Sequence, residues 1–131
     1  MGRVVDSPGG TGGLVLAAFN GDVRWDFLPQ YMVDVMDCAR LHLIALIDES
    51  LQNERILAFN VPFNWNVILE NFRELFPTKT FPNNQPQGSD LSEVDNVLGA
   101  NLLEKWYGQK GYTELKERLR QNVEGYLSQS E

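Results

Sequence analysis

One segment constrains the fold of this chain more than any other: a predicted helix at Val35–Ile47 that is apolar nearly all round. Of the twelve residues Met36–Ile47, only Asp37, Arg40 and His42 are polar. A surface helix normally carries one apolar stripe, whereas a helix that is apolar on most sides needs cover from several neighbours. The sequence therefore predicts an exposed apolar patch on this helix and the strand before it.

Few other elements are available to cover that helix. Strand patterns occur at Gln30–Val35, after the breaker Pro29, and at Arg55–Asn60, which Pro62 should end. Two strands are too few for a sheet that buries itself. Either two-stranded pairing is enough in this chain, or a further sheet is missing from it.

Capping residues and apolar stripes predict the remaining helices and loops. Residues 1–13 are expected to form a flexible entry loop, because Ser7–Gly13 holds four glycines and a proline. Phe81–Asp90 is expected to be an extended loop, and Glu114 should pair with Arg118 four residues later. The predicted helices, with their caps, are Leu14–Asn20, Val35–Ile47 capped by Asp34, a helix to Phe76 capped by Asn64, a helix to Tyr107 capped by Asp95, and a last helix capped by Thr113.

Composition excludes several classes of function. The 131 residues allow one domain, and the net charge of −7 argues against a nucleic-acid partner. No apolar run approaches the length of a membrane helix, so we expect no membrane association. The single cysteine, Cys38, excludes an internal disulfide and fits a reducing, cytoplasmic environment. With one cysteine and one histidine, a metal site is not expected.

Two motifs resemble nucleotide-enzyme signatures but match them poorly. Val4–Phe19 has the order strand, glycine loop, helix, yet its glycines fail the G-x-G-x-x-G spacing because the third would fall at Val15. Tyr112 and Lys116 match Y-x-x-x-K, but Tyr112 precedes the helix cap, and no dinucleotide loop precedes the motif. We therefore predict no cofactor-binding residue and no catalytic residue in this chain.

Other chemically capable residues have simpler explanations. For His42, a buried, hydrogen-bonded side chain is favoured over a catalytic base. Capping explains Asp34 and Asp37 without a carboxylate pair. The three tryptophans, spread along the chain, are expected to be core anchors: Trp25, Trp65 and Trp106.

Five segments match, in order, the motifs of one known family: Tyr31–Leu46, Asn53–Phe59, Asn64–Asn66, Asp90–Asn96 and Tyr112–Asn122. In these motifs the chain resembles the extended short-chain dehydrogenase/reductase family. The nearest branch is that of fungal NADP-dependent aldehyde/ketone reductases and dihydroflavonol reductase-like enzymes, often labelled NAD-dependent epimerase/dehydratase. The resemblance covers about residues 11–128, and it implies an α/β fold: a partial Rossmann-type fold, mostly helical, with two or three short strands.

The resemblance also implies what this chain lacks. Family enzymes are more than twice as long, and their first part carries the dinucleotide loop and the catalytic Tyr-Lys pair. Residues 14–131 therefore resemble the C-terminal, substrate-side domain alone, expected to be inactive by itself. By the resemblance, Tyr31 lies against a small-molecule carbonyl substrate with Gln30 beside it, while an arginine common in the family is replaced by Met36.

Two functions follow from these observations. The first is the substrate-side part of an NAD(P)-dependent carbonyl reductase, completed by another chain that binds NADP or NAD. The second is a non-enzymatic helical interaction protein derived from the same scaffold. In both cases the apolar helix predicts self-association or a complementing dinucleotide-binding chain.

Overall fold

The computed structural model describes residues 10–130, which form five helices and one small sheet. The sheet is a two-stranded antiparallel ribbon that joins β1 to β2. The elements in chain order are α1 (Gly10–Phe19), β1 (Gln30–Met32), α2 (Val35–Ile47), β2 (Val61–Phe63), α3 (Trp65–Leu75), α4 (Val97–Tyr107) and α5 (Leu115–Gln129).

Helices α2 and α3 have the caps that the sequence predicts. The Asp34 carboxylate accepts from the backbone N–H groups of Met36 and Asp37, and α2 has the predicted bounds. The Asn64 side-chain oxygen accepts from the Val67 N–H at the start of α3. A polar side chain that accepts from the first free N–H groups of a helix fixes where that helix begins.

The predicted caps of α4 and α5 are wrong by one residue. Asn96, not Asp95, is the N-cap of α4, although the Asp95 carboxylate still accepts from the Val97 N–H at 3.3 Å. Glu114 is the N-cap of α5, because the Thr113 hydroxyl and N–H both donate to Asp37 instead.

The predicted pair of Glu114 and Arg118 is replaced by a longer-range ion pair. The Arg118 guanidinium lies 3.0 Å from the Asp34 carboxylate, which is almost completely buried. The pair ties α5 to the start of α2. A buried carboxylate that already caps a helix is a stronger partner for arginine than an exposed glutamate.

Helix α1 begins earlier than predicted. It starts at Gly10 rather than Leu14, so residues 10–13 of the predicted entry loop are helical, while residues 1–9 of that loop lie outside the described residues. The buried residues of α1 are Leu16, Ala18 and Phe19, and all three lie within the predicted part of the helix, so their packing does not account for its earlier start.

The second strand is displaced from its predicted position. Arg55–Asn60 is not a strand; β2 begins at Val61 and contains Pro62, which pairs with Tyr31. A ribbon of two strands has an open edge on each side, and proline is tolerated at such an edge because no neighbour needs its missing N–H. β1 is also shorter than predicted, since it ends at Met32.

Two apolar clusters hold the helices together. The larger cluster joins α1, α3 and α5 and is built around aromatic rings, with Phe72 fully buried and its ring centroid 5.5 Å from those of both Phe19 and Phe81. The smaller cluster joins α2 to α4 and contains four buried residues: Leu41, Ile44, Leu102 and Leu103.

The predicted apolar patch is present on α2 but not on the strand before it, because all three residues of β1 are half-buried. Only Asp37, Leu41 and Ile44 are buried within this helix. Leu46 is 82% exposed, and four more large apolar side chains on α2 are more than half exposed: Val35, Met36, Leu43 and Ile47. We call these five residues the open face of α2.

Among residues 10–130, no helix combines the length and the apolarity needed to cross a lipid bilayer.

Candidate functional site

The two predicted substrate residues are neighbours on β1. Gln30 pairs with Phe63 and Tyr31 pairs with Pro62 across the ribbon. Because successive strand residues point to opposite faces, the two side chains lie on different faces of the ribbon. The structure places them side by side in sequence but does not bring both onto one surface.

Tyr31 is held in place by contacts at both ends of its side chain. Its hydroxyl donates to the Ser92 carbonyl at 2.8 Å, a bond between residues 61 positions apart. Its ring makes an edge contact with Phe59, with the ring centroids 5.8 Å apart. The hydroxyl is therefore already used as a donor, and what Tyr31 offers to a ligand is an aromatic surface.

Gln30 is the freer of the two side chains. It is half-buried, and its amide makes no hydrogen bond to any other residue within 10–130. An amide can donate to a carbonyl oxygen and accept from a hydroxyl group. A half-buried amide without a protein partner is suited to bind a polar atom of a ligand.

A shallow cleft lies beside this end of the ribbon. Its volume is about 90 Å³, whereas pockets for small organic ligands usually enclose about 300–1,000 Å³. Apolar and polar groups share its walls, and the pKa of Asp90 is lowered by hydrogen bonds from Ser92. The cleft is too small to enclose a substrate alone; its lining residues are Pro62, Phe63, Asn64, Val67, Ser89 and Asp90.

Side-chain amides fasten the long loop that borders the cleft. Asn64 donates to the Gly88 carbonyl, and the Gln87 side chain accepts from the Trp65 N–H. Asn66 both donates to the Gln85 carbonyl and accepts from its N–H. The predicted extended loop is confirmed. The cleft residues were missed in the sequence, although the amides of Asn64 and Asn66 beside this loop were a usable signal.

A buried carboxylate connects α2 to the turn between α4 and α5. Asp37 is fully buried and accepts from the Thr113 N–H at 2.6 Å, the Thr113 hydroxyl at 3.0 Å and the Gln109 amide at 3.0 Å. Arg40 donates to the other end of the Gln109 amide. The sequence predicts only that Asp37 interacts favourably with the positive end of the helix dipole. It does not predict the hydrogen bonds from Thr113 and Gln109. The network explains the Asp37 carboxylate without a catalytic function.

A second carboxylate fastens the other end of α2. Asp48 caps the helix and accepts from Ser50, Lys105 and the indole N–H of Trp106. These hydrogen bonds, of which the one from Ser50 has the largest effect, hold the pKa of Asp48 far below its ordinary value. Trp106 itself is 41% exposed, so the prediction that it is a core anchor is wrong, whereas Trp65 is buried as predicted and Trp25 is half-buried.

Tyr112 and Lys116 do not act on each other in this structure. The Tyr112 hydroxyl donates to the Leu57 carbonyl at 3.1 Å, while Lys116 pairs with Glu74 on α3. Burial, followed by the charge of Asp37, raises the pKa of Tyr112. A tyrosine acid activated by lysine needs the opposite shift. That neither residue is catalytic stays a prediction, and this geometry supports it.

The prediction that His42 is buried is wrong. His42 is exposed on the outer side of α2, and its Nδ1 lies 2.7 Å from the Cys38 carbonyl oxygen. The hydrogen bond is therefore local to the helix. Within residues 10–130, no three His, Cys, Asp or Glu side chains are grouped as a metal site would need.

The described residues do not fit a dinucleotide phosphate. Gly10, Gly12 and Gly13 lie inside the first turn of α1 rather than in a loop between a strand and a helix. The segment that would have to supply the preceding strand lies outside the described residues. We therefore assign no cofactor contact to residues 10–130.

The curated proteins that the chain matches are reductases and epimerase/dehydratases by name. The chain is 35% identical over 119 residues to Aldehyde reductase 2 of Sporidiobolus salmonicolor, a match covering 88% of this chain and 34% of that protein. It is 35% identical over 120 residues to Ketoreductase adrE of Penicillium rubens, covering 88% and 36%. It is 39% identical over 92 residues to the NAD-dependent epimerase/dehydratase terH of Aspergillus terreus, covering 70% and 27%. No protein-family profile matches the chain.

A solved structure shares the fold. The reductase SsCR superposes with a TM-score of 0.71 at 21% identity, covering 95% of this chain and 38% of that one. The partial Rossmann-type fold predicted from the motifs is confirmed.

The chain is homologous to aldehyde/ketone reductases and NAD-dependent epimerase/dehydratases, whose matches cover up to 88% of it. It spans about a third of the length of the curated relatives it matches.

Proposed function

We propose that this chain is the C-terminal, substrate-side part of an NAD(P)-dependent reductase of a small carbonyl or alcohol substrate, and that it is inactive without a dinucleotide-binding portion. The observation that carries the proposal is the free amide of Gln30. It is half-buried beside a ribbon whose opposite strand lines the cleft. Several matched relatives are reductases by name.

The two substrate residues have different roles in this proposal. Gln30 donates an N–H to the substrate oxygen, or accepts from a substrate hydroxyl, and so orients the reacting carbon. Tyr31 supplies an aromatic wall whose position is fixed by its bond to the Ser92 carbonyl. The hydride and its cofactor come from the other portion of the enzyme. A cytoplasmic location is also part of the proposal, because the single Cys38 suits a reducing environment.

The size of the cleft supports the need for a second portion. A pocket of about 90 Å³ is smaller than the engineered apolar cavity of roughly 150 Å³ that holds benzene. Additional walls are required before a substrate can be enclosed and water excluded. The same requirement explains why α2 presents an open face.

A chimera tests this function. The chain would replace the matching third of the Sporidiobolus salmonicolor aldehyde reductase, and NADPH oxidation would be followed with a neutral aryl aldehyde. We expect turnover, and Gln30→Ala should raise KM about tenfold with a smaller change in kcat, since one hydrogen bond contributes about 1.4 kcal/mol. Gln52→Ala, in an exposed loop, is the matched control. A folded chimera that binds NADPH but has no turnover would contradict the proposal.

The second candidate is a non-enzymatic interaction protein, which the open face of α2 favours. It predicts a chimera without turnover and an isolated chain that binds another protein through α2. The turnover assay therefore separates the two functions.

A further inference from the structure

The long loop beside the cleft is anchored at both ends and has little to hold it between them. At one end, the Gly88 carbonyl accepts from the amide that caps α3. At the other end, the Asn96 amide donates to the Phe59 carbonyl at 2.8 Å. In the part of the chain that the structure describes, residues 89–95 make one hydrogen bond to a residue distant in sequence, and its donor is the Tyr31 hydroxyl.

The acceptor of that bond is itself held by a turn. The Asp90 carboxylate accepts from the Ser92 N–H at 2.9 Å, and the Ser92 carbonyl accepts from the Tyr31 hydroxyl at 2.8 Å. A carboxylate that accepts from the backbone N–H two residues later sets the local path of the chain. Hydrogen bonds from the side chain and then the backbone of Ser92 lower the pKa of Asp90, so the accepting group is the carboxylate at neutral pH. Asp90 and Tyr31 therefore hold Ser92 between them.

Asp90 is also a residue of the cleft. It lines the cleft together with Pro62, which is the strand partner of Tyr31. The same loop contains a similar turn with a different setting, in which the Asp95 carboxylate accepts from the Val97 N–H at 3.3 Å. In the described chain this second turn leads into α4 and accepts nothing from β1. The two aspartates thus differ in whether their turn is connected to Tyr31.

Resting on the proposed function, we propose that Asp90 is a positioning residue for the substrate, because its turn presents the Ser92 carbonyl that holds the aromatic wall of Tyr31. Without the turn, the Tyr31 hydroxyl loses a fixed acceptor, and the ring keeps only its edge contact with Phe59. A ring that can leave its position binds the substrate less well. The chemical step is affected less, because the hydride and its cofactor come from the other portion of the enzyme.

Steady-state kinetics of the chimera described above test this role. Asp90→Ala should raise KM for the aryl aldehyde about fivefold and leave kcat within about twofold, since the loss of one hydrogen bond acts on binding. Asp90→Asn keeps an oxygen that can accept from the Ser92 N–H, and should keep KM within about twofold of the unchanged chimera. Asp95→Ala removes the same side chain and the same charge from the same loop, and should leave KM unchanged.

A double-mutant cycle in the unchanged chain tests the connection to Tyr31 without any measurement of activity. Urea unfolding is followed for Asp90→Ala, for Tyr31→Phe and for the double variant. The double variant should lose less free energy of unfolding than the two single losses added together, because both changes disturb the same pair of hydrogen bonds. Asp95→Ala combined with Tyr31→Phe should give additive losses.

The outcomes separate this inference from the proposed function. Coupled losses together with a chimera that has no turnover support the positioning of Tyr31 by Asp90 and contradict the reductase function. Additive losses for Asp90→Ala and Tyr31→Phe overturn the inference. Turnover in which Asp90→Ala leaves KM unchanged also overturns it. An Asp90→Asn variant as impaired as Asp90→Ala would assign the effect to charge rather than to the turn, and would overturn the inference as well.

Discussion

The two apolar clusters of this chain differ in how completely the chain itself closes them. The larger cluster is enclosed by α1, α3, α5 and the long loop, so that Phe72 has no exposed surface. The smaller cluster has α4 on one side of α2, and on the other side of α2 is the open face. The difference indicates that one half of the molecule has a closed core, whereas the other half leaves one side of α2 exposed.

Polar contacts reinforce the unfinished half. Asp37 and Asp48 fasten the two ends of α2 to α4 and to the turn that follows it. The helix is thus held in position by buried hydrogen bonds where apolar cover is incomplete. The following predictions test whether the two halves depend on these different interactions.

Among truncations to alanine, the largest loss of stability is expected in the closed cluster. Phe72→Ala removes a ring that contacts both Phe19 and Phe81 and should lower the free energy of unfolding by about 4 kcal/mol. Phe59→Ala, at a ring that is 40% exposed, should cost about 1 kcal/mol. Urea unfolding followed by circular dichroism gives both values. Equal losses would contradict the conclusion that Phe72 lies in a closed core.

Removing the buried carboxylate of α2 should come next. Asp37→Ala leaves Thr113 and Gln109 with donors that have lost their acceptor, and should cost about 3 kcal/mol. Asp22→Ala is the control, because Asp22 is exposed. The same urea titration measures both. A loss below about 1 kcal/mol at Asp37 would mean that α2 is held by its apolar contacts.

Two helical glycines, one packed against Tyr112 and one in open space, offer a sharper test of packing. A Cβ at Gly99 would lie 2.1 Å from the Tyr112 hydroxyl oxygen, whereas one at Gly125 would meet nothing within 4 Å. Gly99→Ala should therefore cost about 2 kcal/mol, since Tyr112 must leave the Leu57 carbonyl. Gly125→Ala should stabilise the chain by up to about 1 kcal/mol. The midpoint temperature of thermal unfolding should fall for Gly99→Ala and rise for Gly125→Ala. Shifts of the same sign would contradict the difference in packing at the two glycines.

Local chemistry explains how much of this fold could be predicted. The start of α2 follows from Asp34, and the start of α3 follows from Asn64, because capping depends on residues next to one another. Non-local competition explains the errors. The sequence predicts that Thr113 caps α5, but its hydroxyl donates to Asp37, 76 positions away.

Of the site, the sequence indicated only part. Gln30 and Tyr31 came from a resemblance, and their placement on opposite faces of β1 required the register with Phe63 and Pro62. The displaced second strand has a related cause: residues 55–60 have a strand pattern, but pairing depends on a neighbour that the described chain lacks. A pattern can predict a strand without predicting its partner.

The smallest expected effect is a pH dependence at the far end of α2. The pKa of Asp48 is held below its ordinary value of 3.8 by Ser50, Lys105 and Trp106. A carboxyl group with a lowered folded-state pKa stabilises the fold above about pH 4 and loses that contribution as pH falls further. Asp48→Asn should therefore flatten the decline of the urea midpoint below about pH 4. An unchanged decline in the variant would assign the acid sensitivity to other groups.

Two nearby positions on α2 allow the effect of a charge on the open face to be compared with its effect in the core beneath that face. Ile44 is fully buried and Leu46 is 82% exposed, although they lie two residues apart on one helix. Ile44→Glu should abolish cooperative unfolding, because it places a charge in the small cluster. Leu46→Glu should keep the free energy of unfolding within about 0.5 kcal/mol of the unchanged chain.

The decisive measurement is sedimentation of the unchanged chain and of Leu46→Glu, with 8-anilinonaphthalene sulfonate fluorescence recorded on the same samples. We predict that the unchanged chain binds the dye or self-associates, because an apolar patch of this extent is rarely left exposed by a monomer. Leu46→Glu should remain folded and lose most of that binding. A well-folded monomer without dye binding would contradict the account, since it would show that the chain covers α2 by itself.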